Sequence, residues 1–513
     1  MRRWFSGSWA WVWACAAPLV VSAPAAAQDP PTVRSGEDGR ESAALTVYNN
    51  NLGLVRETRR VTLPAGVAVL RYADVAEQIR PETVYIRDTQ DAATFTVLEQ
   101  NYKYDLLTPS RLLELYVERE LSLVRVNSAT GDEETVEATL LSTGAVTHEG
   151  YSYSYGYPYG YGGYAPAGYV DPSNVVYRTV EGITWGAVGR PVFPDVPPNF
   201  VSRPTLEWLL ESPRGGARTI ETTYLTWGMS WSADYVLVLT DDGRSGDLAG
   251  WVTLRNDAGL TLRGARLQLV AGDVNVQQPY DPYADMLFEA SGRRGGDYHN
   301  DNIGFQESGM FEYHLYTLGR PTDVADREQK QIELLGADAV PMTKKFRLEG
   351  LSYYFVGEYA APIENLRTDV YLEFVNAEAA GLGIALPAGV VRVYKADQGG
   401  AQQFVGEDRI EHTAREEKVK LLLGQAFDVA AERRQTDFEI LGAGLYETEW
   451  EIKLRNRKTE TIVVEVLEPM AGEWTIIRKS HEWVKESARL VRFDLTCPPD
   501  EEVVLTYRVR TEY

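Results

Sequence analysis

The residues of this chain that are best suited to binding chemistry are six tyrosines spaced by two: Tyr151, Tyr153, Tyr155, Tyr157, Tyr159 and Tyr161. In an extended strand this spacing would place all six rings on one face. Aromatic faces stack on sugars or on partner side chains, and the phenol hydroxyls remain free to hydrogen-bond. Glycines and prolines within the Tyr/Gly-rich insertion at 149–175 disfavour a stable strand, so a disordered loop is the competing interpretation.

Catalytic motifs are incomplete throughout the sequence. The histidines are widely dispersed, at His148, His299, His314, His412 and His481. His481-Glu482 begins like a zinc-protease helix, but Lys485 stands where the second histidine is required. Gly228-Met229-Ser230-Trp231-Ser232 lacks the closing glycine of a nucleophile elbow. The sequence therefore assigns no catalytic residue, no metal ligand and no cofactor, while a carboxylate pair brought together from distant loops remains open.

The first 27 residues have the anatomy of a bacterial export signal. Arg2 and Arg3 precede a short apolar run over 9–21, and Ala25-Ala26-Ala27 forms a small-residue cleavage site. This pattern predicts cleavage after Ala27 and a protein that is periplasmic or associated with the outer membrane. Cys15 offers lipidation as an alternative, although Val12-Trp13-Ala14 is a poor lipobox. The run is shorter than the roughly 20 residues of a spanning helix, so no transmembrane helix is expected after signal removal.

Composition narrows the classes of partner. The chain has 513 residues, 44% of them hydrophobic, and a formal net charge of −23. Such an acidic protein is repelled by nucleic acid and by anionic lipid, which leaves an envelope protein or polysaccharide as the expected partner. Once Cys15 leaves with the signal, Cys497 has no intrachain partner. It follows an alternating apolar run, which predicts a buried small hydrophobe at the end of a strand.

Most segments with a readable period alternate by two, as half-buried strands do. The chain therefore reads as all-β, with several stacked Ig-like β-sandwich domains and long loops. Residues 414–423 fit either a helix or a strand, and Leu-Pro-Ala-Gly at 63–66 and 386–389 predicts one turn used twice. The predicted order is a signal peptide (1–27), a flexible linker (28–43), an N-terminal β domain (44–203), a central β domain (204–435) and a C-terminal Ig-like sandwich (436–513).

The second half of the chain resembles a known family. YLTWGMSWSADY at 224–235 is followed by WVTLRNDAGLTLRGARLQLVAGDVN at 251–275, and similar stretches occur at 312–335, 382–394 and 404–429. Together they resemble the domain-of-unknown-function 4139 family, or mucoidy-inhibitor-like proteins, over about residues 215–513. The resemblance implies an exported or envelope β-protein with a role in surface polysaccharide. It carries over no catalytic residues, because the family has no established activity.

Several aromatic residues in these stretches are also expected for structural reasons. Trp227, Trp231, Tyr235 and Trp251 are the kind of residue that fills a strand core, and 256–259 has the composition of a turn. The sequence as a whole predicts a non-catalytic cell-envelope scaffold that binds a protein or glycan partner. The alternatives are an envelope-glycan or peptide hydrolase and an outer-membrane β-barrel, the latter suggested by the alternating C-terminal strand from Val503 to Tyr513.

Overall fold

The structure is a computed structural model that describes residues 29–91, 94–104, 108–126, 130–144, 174–186, 188–195, 201–272, 274–275, 305–310, 313–470 and 472–513. Strands make up 67% of it and helices 5%, which confirms the all-β prediction with several sandwich-like sheets. No described helix is long and apolar enough to cross a membrane.

The strands, in chain order, alternate buried and exposed residues along most of their length. The first eleven are β1 (Thr32–Ser35), β2 (Arg40–Tyr48), β3 (Leu52–Leu63), β4 (Gly66–Ala73), β5 (Tyr85–Asp88), β6 (Thr96–Lys103), β7 (Glu120–Val126), β8 (Glu133–Ser142), β9 (Val176–Thr179), β10 (Gly182–Trp185) and β11 (Arg190–Val192). The next nine are β12 (Thr205–Ser212), β13 (Gly216–Trp227), β14 (Met229–Leu239), β15 (Ser245–Asn256), β16 (Leu262–Ala271), β17 (Phe305–Met310), β18 (Tyr313–Leu318), β19 (Thr322–Val324) and β20 (Glu328–Pro341).

The remaining strands belong to the C-terminal part of the chain. They are β21 (Thr343–Glu349), β22 (Ile363–Val375), β23 (Gly389–Ala396), β24 (Gln402–Ile410), β25 (Lys418–Gly442), β26 (Leu445–Asn456), β27 (Ile462–Pro469), β28 (Glu473–Lys479), β29 (Trp483–Ser487), β30 (Leu490–Cys497) and β31 (Glu502–Glu512). The described helical segments are α1 (Pro109–Leu115) and short 3-10 helices at Glu37–Gly39, Pro81–Thr83, Ser352–Phe355 and Glu378–Ala380.

Three sheets share the largest hydrophobic core. They are a four-stranded sheet (β1-β4-β12-β6), an eight-stranded sheet (β17-β18-β16-β2-β3-β13-β5, with β19 beside β16) and a five-stranded sheet (β20-β15-β14-β23-β24). Trp208, Tyr224 and Tyr235 each come from a different one of these sheets and are fully buried in the common core. The layers are held together because the apolar faces of the strands have only one another to pack against.

A nine-stranded sheet surrounds the second core, in the order β28-β31-β26-β25-β22-β21-β27-β30-β29. Its two ends approach each other, because the rings of Trp474 on β28 and Trp483 on β29 lie 5.5 Å apart. β25 contributes Val419 and Leu421 to the first core, and Val429 and Ala431 to the second. β25 continues through Gln435, the predicted last residue of the central β domain, so this one strand belongs to both predicted domains. The domain boundary itself remains a prediction.

A third, smaller core lies under a five-stranded sheet in the order β10-β9-β8-β7-β11. Leu121, Leu140 and Tyr177 are buried there, and Tyr116 at the end of α1 packs against Phe193 with ring centroids 4.9 Å apart. We call this unit the small sheet. It is inserted in sequence between β6 and β12, two strands that pair with each other in the four-stranded sheet.

Buried asparagines close three strands in the same way. Asn256 and Asn456 are the last residues of β15 and β26, Asn376 directly follows β22, and all three are fully buried. The amide of Asn456 donates to the carbonyls of Glu460 and Cys497, each at 2.9 Å, while its oxygen accepts the N–H of Lys458. Each asparagine thus satisfies the backbone groups of the turn that follows, which a buried turn requires.

Two sequence expectations differ from the structure. Part of the predicted flexible linker is ordered, because β1 pairs in parallel with β4 from Thr32 to Ser35. Trp251 is 37% exposed, whereas Trp231 and Tyr235 are buried as expected. The reason lies in the alternation along β15, where Val252 and Leu254 take the inward positions and turn Trp251 outward. The turn predicted at 256–259 is present, with Gly259 at a φ of +73°.

Candidate functional site

The tyrosines predicted to bind, from Tyr151 to Tyr161, lie outside the described residues, but the strands before and after them are defined. β8 ends at Ser142 and β9 begins at Val176, and the two strands pair with Leu140 opposite Tyr177. The segment between them therefore leaves and re-enters the small sheet at one end. Its anchor points are fixed by the core beneath β8 and β9.

An exposed apolar surface lies beside these anchor points. Trp185 is opposite Val176 in the register of β9 and β10, and Ile183 is opposite Arg178. Trp185, Ile183 and Val180 are 73%, 63% and 89% exposed. Side chains alternate along a strand, so Ile183 and Trp185 project from the face opposite to the buried Tyr177. We call Val180, Ile183 and Trp185 the hairpin surface.

The hairpin surface also presents a strand edge. β10 pairs with β9 on one side and has no neighbouring strand on the other within the described part of the chain. Natural proteins usually protect such edges with charged residues, proline or bulges, since unpaired N–H and C=O groups can recruit another strand. β10, with the sequence GITW, carries neither charge nor proline. Over the described residues, this edge is four residues long and is not paired with another strand.

Charges around the hairpin surface are mainly acidic. The described residues of this unit, within 108–195, include nine acidic and five basic side chains. Arg125 lies between Glu134 and Glu181, at 3.4 Å from each, and these carboxylates raise the pKa of its guanidinium. A partner with basic residues around an apolar segment would complement this surface.

A second group of aromatic residues, half-buried except for the exposed Tyr513, lies at the tip of the β25–β26 hairpin. The ring of Tyr446 lies 5.9 Å from Phe438 and 6.1 Å from Tyr513. These rings contact one another, and Tyr513 is fixed by its backbone N–H, which donates to the carbonyl of Gly444 at 2.9 Å. The tip is therefore partly covered by its own side chains, unlike the hairpin surface.

The described histidines do not converge. His314 forms a 2.6 Å contact through Nδ1 with Glu307, whose other oxygen accepts the N–H of Ala385. Burial favours the neutral acid of Glu307, but His314, the Ala385 N–H and Arg415 outweigh burial and hold the pKa of Glu307 below its usual value. His412 accepts the N–H of Ala388, and His481 contacts Ser480. His148 and His299 lie outside the described residues.

Sequence reasoning missed one compact cluster of charges. Lys345 and Arg347 on β21 lie between Glu373 on β22 and Glu465 on β27. Arg347 is 2.6 Å from Glu373 and 2.7 Å from Glu465, and Lys345 is 2.5 Å from Glu465. The sequence feature that could have indicated this cluster is the alternation of Lys345 and Arg347 on a short strand. Their acidic partners could not be identified, because these are distant in sequence. We call these four residues and Lys418 the charge cluster.

In the ranges that the structure describes, no group of three or more His, Cys, Asp or Glu side chains is placed to hold a metal ion. The carboxyl groups of Glu307, beside His314, and of Glu373 and Glu465, in the charge cluster, have pKa values below the usual range. In each case burial acts in the opposite direction and neighbouring cations or donors outweigh it. Such groups are suited to holding ion pairs, because a general acid needs a raised pKa.

Cys497 is fully buried at the end of β30, and burial raises the pKa of its thiol to about 11. We therefore expect the folded protein to resist thiol reagents. In a Cys15→Ser chain at pH 8, only about one thiol in 1,000 is ionised in the folded state, so labelling by a disulfide reagent is at least about 100-fold slower than after unfolding. Rapid stoichiometric labelling of the folded chain would contradict this burial.

No protein-family model matches the chain, and no curated protein matches its sequence.

Proposed function

We propose that this protein is an exported cell-envelope scaffold of the domain-of-unknown-function 4139 kind, and that it binds a partner through the small sheet. The observation that carries the proposal is the hairpin surface, in which exposed Trp185 and Ile183 lie on a strand edge that no other described strand pairs with. Exposed aromatic and aliphatic groups that adjoin one another often mark interaction sites. The export signal and the acidic charge support an envelope location and a partner that is neither nucleic acid nor anionic lipid.

The open edge favours a polypeptide as the partner. A strand added to β10 would pair with its free N–H and C=O groups, and its side chains would contact Ile183 and Trp185 on one face. Glu134 and Glu181 share the single guanidinium of Arg125, so these three groups keep one net negative charge that a basic residue next to the added strand would complement. A glycan that stacks on Trp185 and on the tyrosine tract is the other outcome that the experiment below distinguishes.

The experiment compares variants of the hairpin surface for recovery of the partner. Ile183→Lys and Trp185→Lys place charges on the edge and remove two apolar anchors, so we expect crosslinked partner recovered from cells to fall at least tenfold, given that such an anchor contributes about 2 kcal/mol. Tyr85→Lys is the matched control, because Tyr85 is also exposed on a short edge strand, β5, of another sheet.

The outcomes separate the possible partners. Protease-sensitive material that is lost only in the β10 variants supports a polypeptide on the edge, and protease-resistant carbohydrate would indicate a glycan. A chain that lacks residues 150–170 shows whether the tract contributes, and its ends can be joined because β8 and β9 are adjacent. Equal recovery with the β10 variants and the Tyr85 control would contradict the proposed site.

A further inference from the structure

A pocket of about 530 Å³ lies where β22 and β25 pass from the first core to the second. Its walls are mainly apolar and include Met342, Phe374, Val375, Ala379 and Ala380. Ala379 and Ala380 belong to the 3-10 helix at Glu378–Ala380, which covers one side. The volume falls within the range of roughly 300–1,000 Å³ that small-molecule sites occupy.

The polar groups of the pocket come from the charge cluster. Lys345, Lys418 and Glu373 line the pocket, and Glu373 lies 3.6 Å from Lys345 and 3.5 Å from Lys418. Burial favours protonation of Glu373, but Lys345, Arg347 and Lys418 outweigh burial and keep the pKa of its carboxyl below the usual value. Glu373 is therefore ionised at neutral pH and neutralises part of the surrounding positive charge.

The charges within this cluster do not balance. Lys345, Arg347 and Lys418 supply three positive charges, whereas Glu373 and Glu465 supply two negative charges. Lys418 has the most accessible side chain of the five, at 53%, and it contacts only Glu373 within the cluster. Among the charged side chains that line the pocket itself, two are cationic, Lys345 and Lys418, and one is anionic, Glu373, so the lining suits one further anionic group.

We propose that this pocket binds a monoanionic amphiphile of the fatty-carboxylate class. The aliphatic chain would lie against Met342, Val375 and Ala379, where it is removed from water. The carboxylate would lie beside Lys418 and neutralise the excess charge. A cationic head group would be repelled, and a neutral one would leave Lys418 without a counterion. The proposal is independent of the partner site on the small sheet, which lies in a different unit of the fold.

Dodecanoate is the probe, titrated into the full chain by calorimetry below its micellar concentration. We expect saturable binding of one molecule per chain. Dodecyl maltoside, which is neutral, and dodecyltrimethylammonium, which is cationic, should each bind at least tenfold more weakly. Butyrate has the same head group but buries little apolar surface, so its affinity should fall by more than 100-fold.

Two variants locate the site. Lys418→Gln should weaken dodecanoate binding roughly fivefold, as expected for a half-exposed ion pair. Ala379→Trp should abolish binding, because the indole fills the pocket from an exposed helical position. Lys344→Gln is the matched control, since Lys344 neighbours Lys345 on β21 and instead pairs with Glu460, at 3.6 Å. Thermal melting of each variant confirms that it is folded.

Absence of saturable dodecanoate binding to the unmodified chain would overturn the proposal. So would equal affinity for the neutral amphiphile, because the charge excess would then have no role. If Ala379→Trp fails to fold, Lys418→Gln against Lys344→Gln decides alone, and equal affinities of these two variants would likewise overturn it.

Discussion

Replacement of Arg433 by methionine is expected to lower the free energy of unfolding by about 4 kcal/mol. Arg433 and Glu468 are both fully buried and form two parallel bonds, from Nη1 to Oε2 at 2.9 Å and from Nη2 to Oε1 at 2.6 Å. Without the guanidinium, the carboxylate of Glu468 remains in the second core with no counterion. The cost of removing this carboxylate from water is then no longer offset by the attraction to Arg433.

The surroundings of the pair leave little room for relaxation. The guanidinium carbon of Arg433 lies 5.0 Å from the ring centre of Tyr354 and 5.6 Å from that of Trp450. A Cβ atom at Gly350 would stand 2.3 Å from Oε2 of Glu468, so only glycine allows the chain to pass this close. Glu468 is fully buried, which supports a cost within the range of about 3–5 kcal/mol that is usual for broken buried pairs.

Urea unfolding, followed by tryptophan fluorescence, measures this effect. Arg434→Met is the matched control, because Arg434 is the next residue of β25 and faces solvent, so its loss should cost no more than about 0.5 kcal/mol. The double variant Arg433→Met/Glu468→Leu should recover most of the lost stability, since no charge is then buried alone. A cost for Arg433→Met no larger than that for Arg434→Met would show that the pair is not buried in solution.

Arg59→Met, in the first core, is expected to lower the free energy of unfolding by about 4 kcal/mol as well, but for a different reason. The buried guanidinium of Arg59 donates to the carbonyls of Ser35, Ala73 and Asp74 at 3.2, 2.7 and 3.2 Å. It also pairs with Glu57 at 2.7 Å, but Glu57 keeps a second partner in Arg40, at 2.6 Å. The loss therefore falls mainly on backbone carbonyls that become buried without donors.

The carbonyl of Ser35 ties this prediction to β1. Because Ser35 is the last residue of β1, Arg59→Met should release that strand from β4 as well as destabilise the core. Hydrogen exchange followed by mass spectrometry should show faster exchange over residues 32–35 and 69–72 than in the unmodified chain. Arg60→Met is the control, since Arg60 follows on β3 and is 70% exposed in its side chain. Unchanged exchange in β1 would contradict the assigned role.

These two arginines show what the sequence could and could not predict. Alternation by two was sufficient for the fold class, because Val55, Val61 and their neighbours on β3 mark an apolar face. Glu57 and Arg59 occupy the same phase and are buried too, although their charge suggests a solvent-facing side. The sequence feature that could have indicated a buried ion pair is two residues of opposite charge at the same alternating positions as the apolar residues. Their pairing depends on strands far apart in sequence.

The two identical Leu-Pro-Ala-Gly segments do not use their glycines for the same structural reason. Leu-Pro-Ala-Gly at 63–66 makes a turn in which Gly66 has a φ of +88°. In the copy at 386–389, Gly389 begins β23, and a Cβ there would stand 2.2 Å from the carbonyl oxygen of Ala233. One glycine is needed for its backbone conformation and the other for a close approach to β14. Only tertiary structure separates these reasons.

Local ambiguity was resolved by tertiary packing as well. Residues 414–423 fit a helix or a strand by their charges, and the structure makes them the approach to β25 and its beginning, with Val419 and Leu421 buried. The candidate site was harder to predict from the sequence than the fold class. Nothing in the sequence indicated that Trp185 lies in register with Val176 and that Val176 is opposite Ser142, because these pairings depend on how β8, β9 and β10 align.

Photo-crosslinking in intact cells tests the proposed scaffold role most directly. A benzophenone amino acid at position 185 should form a covalent adduct with one envelope component, and the same group at Tyr85 should not. Fractionation of these cells should recover the adduct with the envelope. Adducts that are absent at position 185, or the same at both positions, would contradict binding through the hairpin surface.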